Sequence, residues 1–409
     1  MTKIKSPKGN KSLLLTLLIV CLYFFRIHAQ QPSKTEVITV TDKEVKTGAS
    51  RMEAYLSGIK GKRIALVANH SSLIGGTHLV DTLLSGGVKI SRVFAPEHGF
   101  RGEADAGEHV ASGKDSRTGI PLVSLYGTQK KPKPEHLSDV DLVIFDIQDV
   151  GVRFYTYIST MTYVMEACAD AGIPFMVLDR PNPNGHYIDG PLLDTAFRSF
   201  LGLHPVPLVH GMTVGEYATM INTEGWLKSK NKCKLEVIPC TGWKHRYYYQ
   251  VQVPPSPNLT SMNAIYLYPS LGLFEGTMVS IGRGTDKPFE KIGFPGFAEG
   301  NYSFTPKSGK GSKHPLYEGK TCSGFDLKGF GESYIRDSKE IYLFWLINMF
   351  KATKDKNGFF TKTFDQHIGT DQLRKDIIAG KTEKQIRDSW KQGLTNYSKI
   401  RKKYLLYEE

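Results

Sequence analysis

The chain has 409 residues, with 53 Lys and Arg against 40 Asp and Glu, and five cysteines. That length suits two domains. So few cysteines, none in a CxxC pair, exclude a disulfide-dense scaffold and paired zinc motifs.

Lys3, Lys5, Lys8 and Lys11 precede a thirteen-residue apolar run, LLLTLLIVCLYFF (13–25), and Ala29 offers a small residue before Gln30. Residues 1–29 therefore read as a secretory signal peptide, too short in its apolar part for a membrane span. Its removal takes five basic residues and no acid, leaving 48 basic against 40 acidic side chains, a net charge of +8. A basic surface favours polyanions. An exported, periplasmic or envelope-associated protein meets acidic polysaccharide rather than nucleic acid, and no stable membrane insertion is expected once the signal is gone.

In chain order, residues 30–48 are polar and read as a tether. Met52–Ile59 reads as a helix, 63–69 (RIALVAN) as a buried strand, 77–85 as a helix and 90–94 as a second strand. Residues 103–121 form a long polar loop, a length that usually signals function. Strands are expected at 122–126, 142–146 (LVIFD), 174–178 (PFMVL) and 235–239, with helices at 156–171 and 213–222. Thr213 with Glu216 makes a capping box for the second of these helices. This alternation predicts an α/β fold, a doubly wound parallel sheet over residues 49–244. From residue 245 Tyr, Pro and Gly become frequent, and a second, smaller α+β domain is expected over 245–409, with a strand-like core at 275–283 and helices at 338–349, 371–380 and the C-terminus.

Four strand-end loops, 69–72, 97–101, 146–153 and 179–184, converge on one edge of such a sheet, where open α/β sheets bind ligands. A fifth polar segment, 275–290, lies in the second domain. No GxGxxG follows the first strand, and no GxxxxGK[ST] or GxSxG occurs, so no nucleotide, cofactor or serine nucleophile is expected, and no metal-ligand spacing is present. Carboxylates, imidazoles, arginines and aromatics remain, the equipment of glycoside hydrolysis. Glu97 is the candidate general acid. Asp146, Glu166 and Glu275 are candidates for the second catalytic group. Asn69, Gln148 and Asn182 supply strand-end polar groups for substrate. His70 and His98 suit a carboxylate or a sugar hydroxyl. Arg101, Arg153 and Arg283 suit an acidic substituent, and Tyr155 suits stacking on a sugar face. Arg101 has two incompatible jobs. Pairing with Glu97 would hold that carboxylate ionised and spoil it as an acid, so an acid role for Glu97 expects Arg101 to point away.

Seven segments in order, NHSS (69–72), PEHGFRG (96–102), DLVIFDIQDVGVRFYTYISTM (141–161), VLDRPNPNG (177–185), HGMTVGE (210–216), PPSPN (254–258) and YPSLGLFEGTMVSIGRGTDKPFE (268–290), resemble the DUF1343 family, which contains the exo-β-N-acetylmuramidases called NamZ. The resemblance runs from about residue 45 to the C-terminus. It implies a Rossmann-like domain joined to a smaller one, with the site in the cleft between them. It also implies release of terminal β-linked N-acetylmuramic acid from the non-reducing end of peptidoglycan fragments. Glu97 matches the glutamate of the family's PEHG motif. The second catalytic group stays open among Asp146, Glu166 and Glu275. Gly272 stands where many relatives carry Cys, a packing position.

Overall fold

Short apolar runs become strands when helices can cover both of their faces. In a computed structural model describing residues 38–101 and 112–409, six such runs and one exposed two-residue edge strand form one sheet: β1 (Arg63–Ala68), β2 (Lys89–Ala95), the edge strand β3 (Gly113–Lys114), β4 (Pro121–Ser124), β5 (Leu142–Asp146), β6 (Phe175–Leu178) and β7 (Leu235–Ile238). Their order is β7-β6-β5-β1-β2-β4-β3, parallel throughout except for β3, which pairs antiparallel on the edge. The expected signal segment and most of the expected tether lie outside the described residues, as does the first part of the 103–121 loop.

Strand parity decides which residues meet which helix, because successive side chains point to opposite faces. Ile64, Leu66, Ala68, Leu142, Ile144, Met176 and Leu178 join one core, which includes Tyr55 and Ile59 of α1 (Met52–Ile59) and Leu79, Val80 and Leu83 of α2 (Leu79–Ser85). Ala65, Val67, Val143, Phe145, Phe175 and Val177 join the other, beneath α3 (Tyr157–Ala171) and α4 (Val214–Thr223). Helix ends follow local chemistry. Thr213 and Glu216 close the expected capping box on α4, and α3 stops at Gly172, whose φ of 70° suits a residue without Cβ. The strand order turns about β1 and β5: the chain steps outward from β1 through β2 and β4, and in the opposite direction from β5 through β6 and β7. Loops leaving the carboxyl ends of β1 and β5 diverge there and open a crevice.

Parity also explains Asp146. It continues the series Leu142, Ile144 and so faces the α1 side, where Arg180 meets it through Nε at 2.5 Å and Nη2 at 2.9 Å. Arg180 also donates to the Leu73 carbonyl at 3.0 Å. Both members are buried, so the pair ties the β5 and β6 loops to the β1 turn.

Residues 39–409 form one compact unit. Its later part contains a three-stranded antiparallel sheet, Lys291–Phe294, Cys322–Asp326 and Tyr302–Phe304, with helices that include α5 (Met262–Leu271) and the C-terminal Glu383–Arg401. Three expectations differ. Thr39–Val40 is not tether but pairs parallel with Tyr248–Tyr249, and Val45 is buried with Cys240, Trp243 and Tyr249. The 275–283 segment is a 3-10 turn and loop rather than a strand, because its polar side chains turn back on one another, Arg283 onto Glu275. The helix expected at 338–349 is displaced to Phe344–Ala352. The four cysteines of the described residues are buried and unpaired, and no helix among these residues is long and apolar enough to cross a membrane.

Removing one member of a buried ion pair strands the other. Asp146→Ala is therefore expected to cost about 3–5 kcal/mol of stability, read as a lowered thermal midpoint, and the double change Asp146→Leu with Arg180→Met should recover much of that loss. A single variant that melts with the wild type would show that the pair holds nothing together.

Candidate active site

The loop after β2 carries Pro96-Glu97-His98-Gly99, and the chain turns there through two consecutive left-handed residues, His98 at φ 69° and Gly99 at φ 73°. For Gly99 this is ordinary. For His98 it costs on the order of 1–3 kcal/mol, strain of the kind that collects at functional sites. The loop after β5 supplies Phe154, Tyr155 and Thr156 just ahead of α3, whose first residue is Tyr157. The Thr156 hydroxyl donates to Glu97 at 2.9 Å.

The opposite wall comes from the later part of the chain and is fastened by side chains of the first. Tyr155 and Tyr157 donate to the carbonyl of Pro255 at 2.8 and 3.3 Å, and His70 Nε2 meets the carbonyl of Pro254 at 2.8 Å. This presents Ser256 and Asn258 of the PPSPN motif. Tyr268 of α5 packs edge-on against Phe154, Tyr155 and Phe289, at 5.2, 5.8 and 5.0 Å between ring centres. Gly272 lies so close to Phe154 that a Cβ would stand 2.4 Å from the ring, which makes it the packing position expected. Phe289 is a second strained residue, at φ 59°.

These elements enclose a pocket of about 200 Å³ lined by Glu97, His98, Tyr155, Thr156, Tyr157, Ser256, Asn258, Tyr268, Glu275, Arg283, Phe289 and His367, among others. Among the described residues its lining carboxylates are Glu97 and Glu275. Glu275 accepts from Arg283 Nε at 3.0 Å and Nη2 at 2.5 Å, and His367 Nε2 stands 3.4 Å from its other oxygen. Burial alone would raise this carboxyl, but the Arg283 guanidinium and His367 outweigh it and hold it at about 2. Glu275 is thus ionised throughout the neutral range and has no proton to give. Glu97, the other lining carboxylate, accepts from the Thr156 hydroxyl.

The pocket gathers Glu97, Glu275, His98, Tyr155 and Arg283 from the sequence-derived candidates. The others stand elsewhere. Asp146 is paired with Arg180 on the opposite side of the sheet. Glu166, on α3, accepts from the Lys228 amide at 2.8 Å with Lys131 at 3.7 Å, and pins a distant loop. Arg153 is fully buried and donates to the carbonyls of Pro191 at 3.0 Å, Val206 at 2.7 Å and Ile368. It staples chain segments and is not among the residues lining the pocket. Asn182 holds the Met212 carbonyl and the Asn184 amide, at 2.9 and 2.8 Å. Gln148 holds the carbonyls of Asp149 and Pro181, both at 2.8 Å. Asn69 accepts from Ser71 and orders the β1 turn. His70 acts on the wall through Pro254. Arg101 makes a two-point pair with Asp115, at 3.1 and 2.9 Å. Sequence reasoning passed over Thr156, Asn258, Phe289 and His367. The PPSPN motif carried a signal for Asn258. His367 had none, as a single histidine in a short helix, Phe364–Ile368.

Asp149 was also passed over. Its Oδ1 accepts the Gly151 amide at 2.7 Å, while Oδ2 has no hydrogen-bond partner among the described residues. Burial pushes its carboxyl up to about 7. Between about pH 4, where an unfolded Asp loses its proton, and pH 7, the folded protein holds a proton that the unfolded chain has released. Stability should therefore fall as pH rises through that window and level off above it. Asp149→Asn removes this contribution, so thermal unfolding from pH 5 to 8 should show the variant gaining on the wild type as pH rises. A constant difference would mean that Asp149 does not carry the proton.

Two carboxylates set in an aromatic pocket beside an α/β sheet suit the class of a glycoside hydrolase. The comparisons agree. The family model described as exo-β-N-acetylmuramidase NamZ, N-terminal, matches residues 64–263, and its C-terminal counterpart matches 266–407. The peptidoglycan β-N-acetylmuramidase NamZ of Bacillus subtilis (strain 168) is 40% identical, over 90% of this chain and 93% of that protein. Two crystal structures of DUF1343 family proteins from Bacteroides fragilis NCTC 9343 superpose with TM-scores of 0.83 and 0.74, at 44% and 28% identity, each covering 89% of this chain and 99% of the other. The chain belongs to the exo-β-N-acetylmuramidase NamZ family.

Proposed function

We propose that the protein is an exo-acting glycoside hydrolase that releases terminal β-linked N-acetylmuramic acid from peptidoglycan fragments, with Glu97 as general acid. The observation that supports the reading is that two carboxylates share one aromatic pocket, Glu275 clamped as an anion by Arg283 and His367 and Glu97 accepting from the Thr156 hydroxyl. Glu97 protonates the departing glycosidic oxygen. Glu275 places fixed negative charge where positive charge develops on the sugar ring, and Arg283 receives the lactyl carboxylate of the muramyl unit. His98 and Asn258 are placed for sugar hydroxyl and amide groups, and Tyr155 and Tyr268 give the ring an apolar wall.

The lobe carrying the sheet, residues 49–244, is read as Rossmann-like and doubly wound, supported by the strand order about β1 and β5 and by helices on both faces. Residues 245–409 are read as the smaller lobe that completes the cleft. The basic N-terminal segment and its apolar run support export to the periplasm and a role in cell-wall turnover.

The purified protein should release N-acetylmuramic acid from N-acetylmuramyl-β-1,4-N-acetylglucosamine or from a chromogenic β-muramide. Glu97→Gln, with an unchanged thermal midpoint, should lower kcat by roughly 10²–10⁴-fold. Arg283→Ala should raise KM for the muramide. Tight fragment binding without bond cleavage by the folded wild type would instead identify a glycan-binding protein of the envelope.

A further inference from the structure

A pocket of about 200 Å³ is small against the 300–1,000 Å³ usual for ligand sites. It holds a terminal sugar and little more. The rest of a glycan must leave across the wall, and one part of the surface is built to receive it. Tyr126, Tyr163 and Phe200 form a half-buried aromatic group. The rings of Tyr163 and Phe200 are 6.1 Å apart with planes 6° from parallel, an offset stack. Tyr126 stands 6.3 Å from Phe200. The Lys130 ammonium sits 4.8 Å from the centre of the Phe200 ring.

Two connections join this group to the pocket. Leu201, the residue after Phe200, is part of the pocket wall. Tyr163 follows Thr156, the hydroxyl donor to Glu97, by seven residues, which places it on the same side of α3, two turns or about 10 Å further along. Core packing does not account for the arrangement, since all three rings keep part of their surface in water beside a charged side chain. Half-open aromatic surfaces accept the apolar face of a sugar ring, and an ammonium lying over the Phe200 ring accepts an acidic substituent.

We infer that Tyr163, Phe200 and Tyr126 form the leaving-side subsite, where the sugar beyond the scissile bond rests, and that Lys130 meets the carboxylate carried by the next acidic sugar of the chain. The inference rests on the glycosidase reading above and extends it to specificity: the enzyme selects an oligosaccharide over a muramide with a small aglycone.

The test measures kcat/KM on the muramyl-glucosaminyl disaccharide and on the corresponding tetrasaccharide, with free N-acetylmuramic acid as a competitive inhibitor that reports the pocket alone. Phe200→Ala should lower kcat/KM on both glycans about tenfold, leave the inhibition constant of N-acetylmuramic acid at the wild-type value, and be rescued by Phe200→Trp. Tyr163→Ala should show the same pattern and serves should Phe200→Ala fail to fold. Lys130→Ala should lose more on the tetrasaccharide than on the disaccharide. Unchanged kcat/KM in folded Phe200→Ala and Tyr163→Ala overturns the subsite. So does an inhibition constant that rises in step with the loss, since the rings would then act only by shaping the pocket. A wild-type protein that cleaves neither glycan sinks the glycosidase reading itself, a result distinct from an active wild type with indifferent variants.

Discussion

Two tyrosine hydroxyls, Tyr155 and Tyr157, converge on the carbonyl of Pro255, and the pocket depends on that contact. A proline-rich loop has few amide donors with which to fasten itself, so its position must be set by donors reaching its carbonyls from elsewhere. The sheet domain provides them from two strand ends, the tyrosines after β5 and His70 after β1. The two rings also pack edge to face, 4.7 Å between centres, and burial raises both hydroxyls above the usual phenol range, so they remain donors at any physiological pH. Losing both would leave the buried Pro255 carbonyl short of its two tyrosine donors, at a cost on the order of 1–3 kcal/mol, and would loosen the wall that carries Ser256 and Asn258.

Each wall of the pocket contains a residue forced into the left-handed region, His98 on one side and Phe289 on the other. The surrounding packing must overcome that strain, and it does so through the aromatic contacts that line the pocket. Tyr268 touches Phe289, Phe154 and Tyr155 at once, and Arg283 lies 5.1 Å from the centre of the Phe289 ring. The pocket is therefore shaped before ligand arrives, and binding energy need not be spent on ordering it.

The sheet was legible because its strands are short apolar runs between turn residues, and burial on both faces leaves no other place for them. The direction of a side chain was not legible in the same way. Asp146 ends its strand and Glu97 lies just past one, and the two look equivalent in sequence, yet parity sends Asp146 to Arg180 on the α1 side. Arg153 has the chemistry of an anion ligand, but its environment is three backbone carbonyls contributed by segments far along the chain. Glu166 and Asn182 are similar cases, polar residues spent on loops. The 275–283 segment alternates enough to resemble a strand, and only the tertiary pairing of Glu275 with Arg283 and His367 makes it a loop. His367 enters the site from more than ninety residues beyond Glu275, a separation no local pattern encodes.

The two carboxylates that line the pocket meet different partners. An acid catalyst must hold a proton near neutral pH, whereas a charge that steadies a developing cation must never gain one. Glu275 meets two cationic or cation-capable partners and is fixed as an anion. Glu97 receives a hydrogen bond from a threonine hydroxyl, a group that can donate to the carboxylate or accept from the protonated acid without changing its own charge. The Arg101–Asp115 pair bears on this, because it engages the guanidinium nearest to Glu97 in the sequence with a different carboxylate. The acid role proposed for Glu97 thus asks the guanidiniums of Arg101 and Arg283 to place their two-point contacts on other carboxylates, and each makes such a contact, on Asp115 and on Glu275.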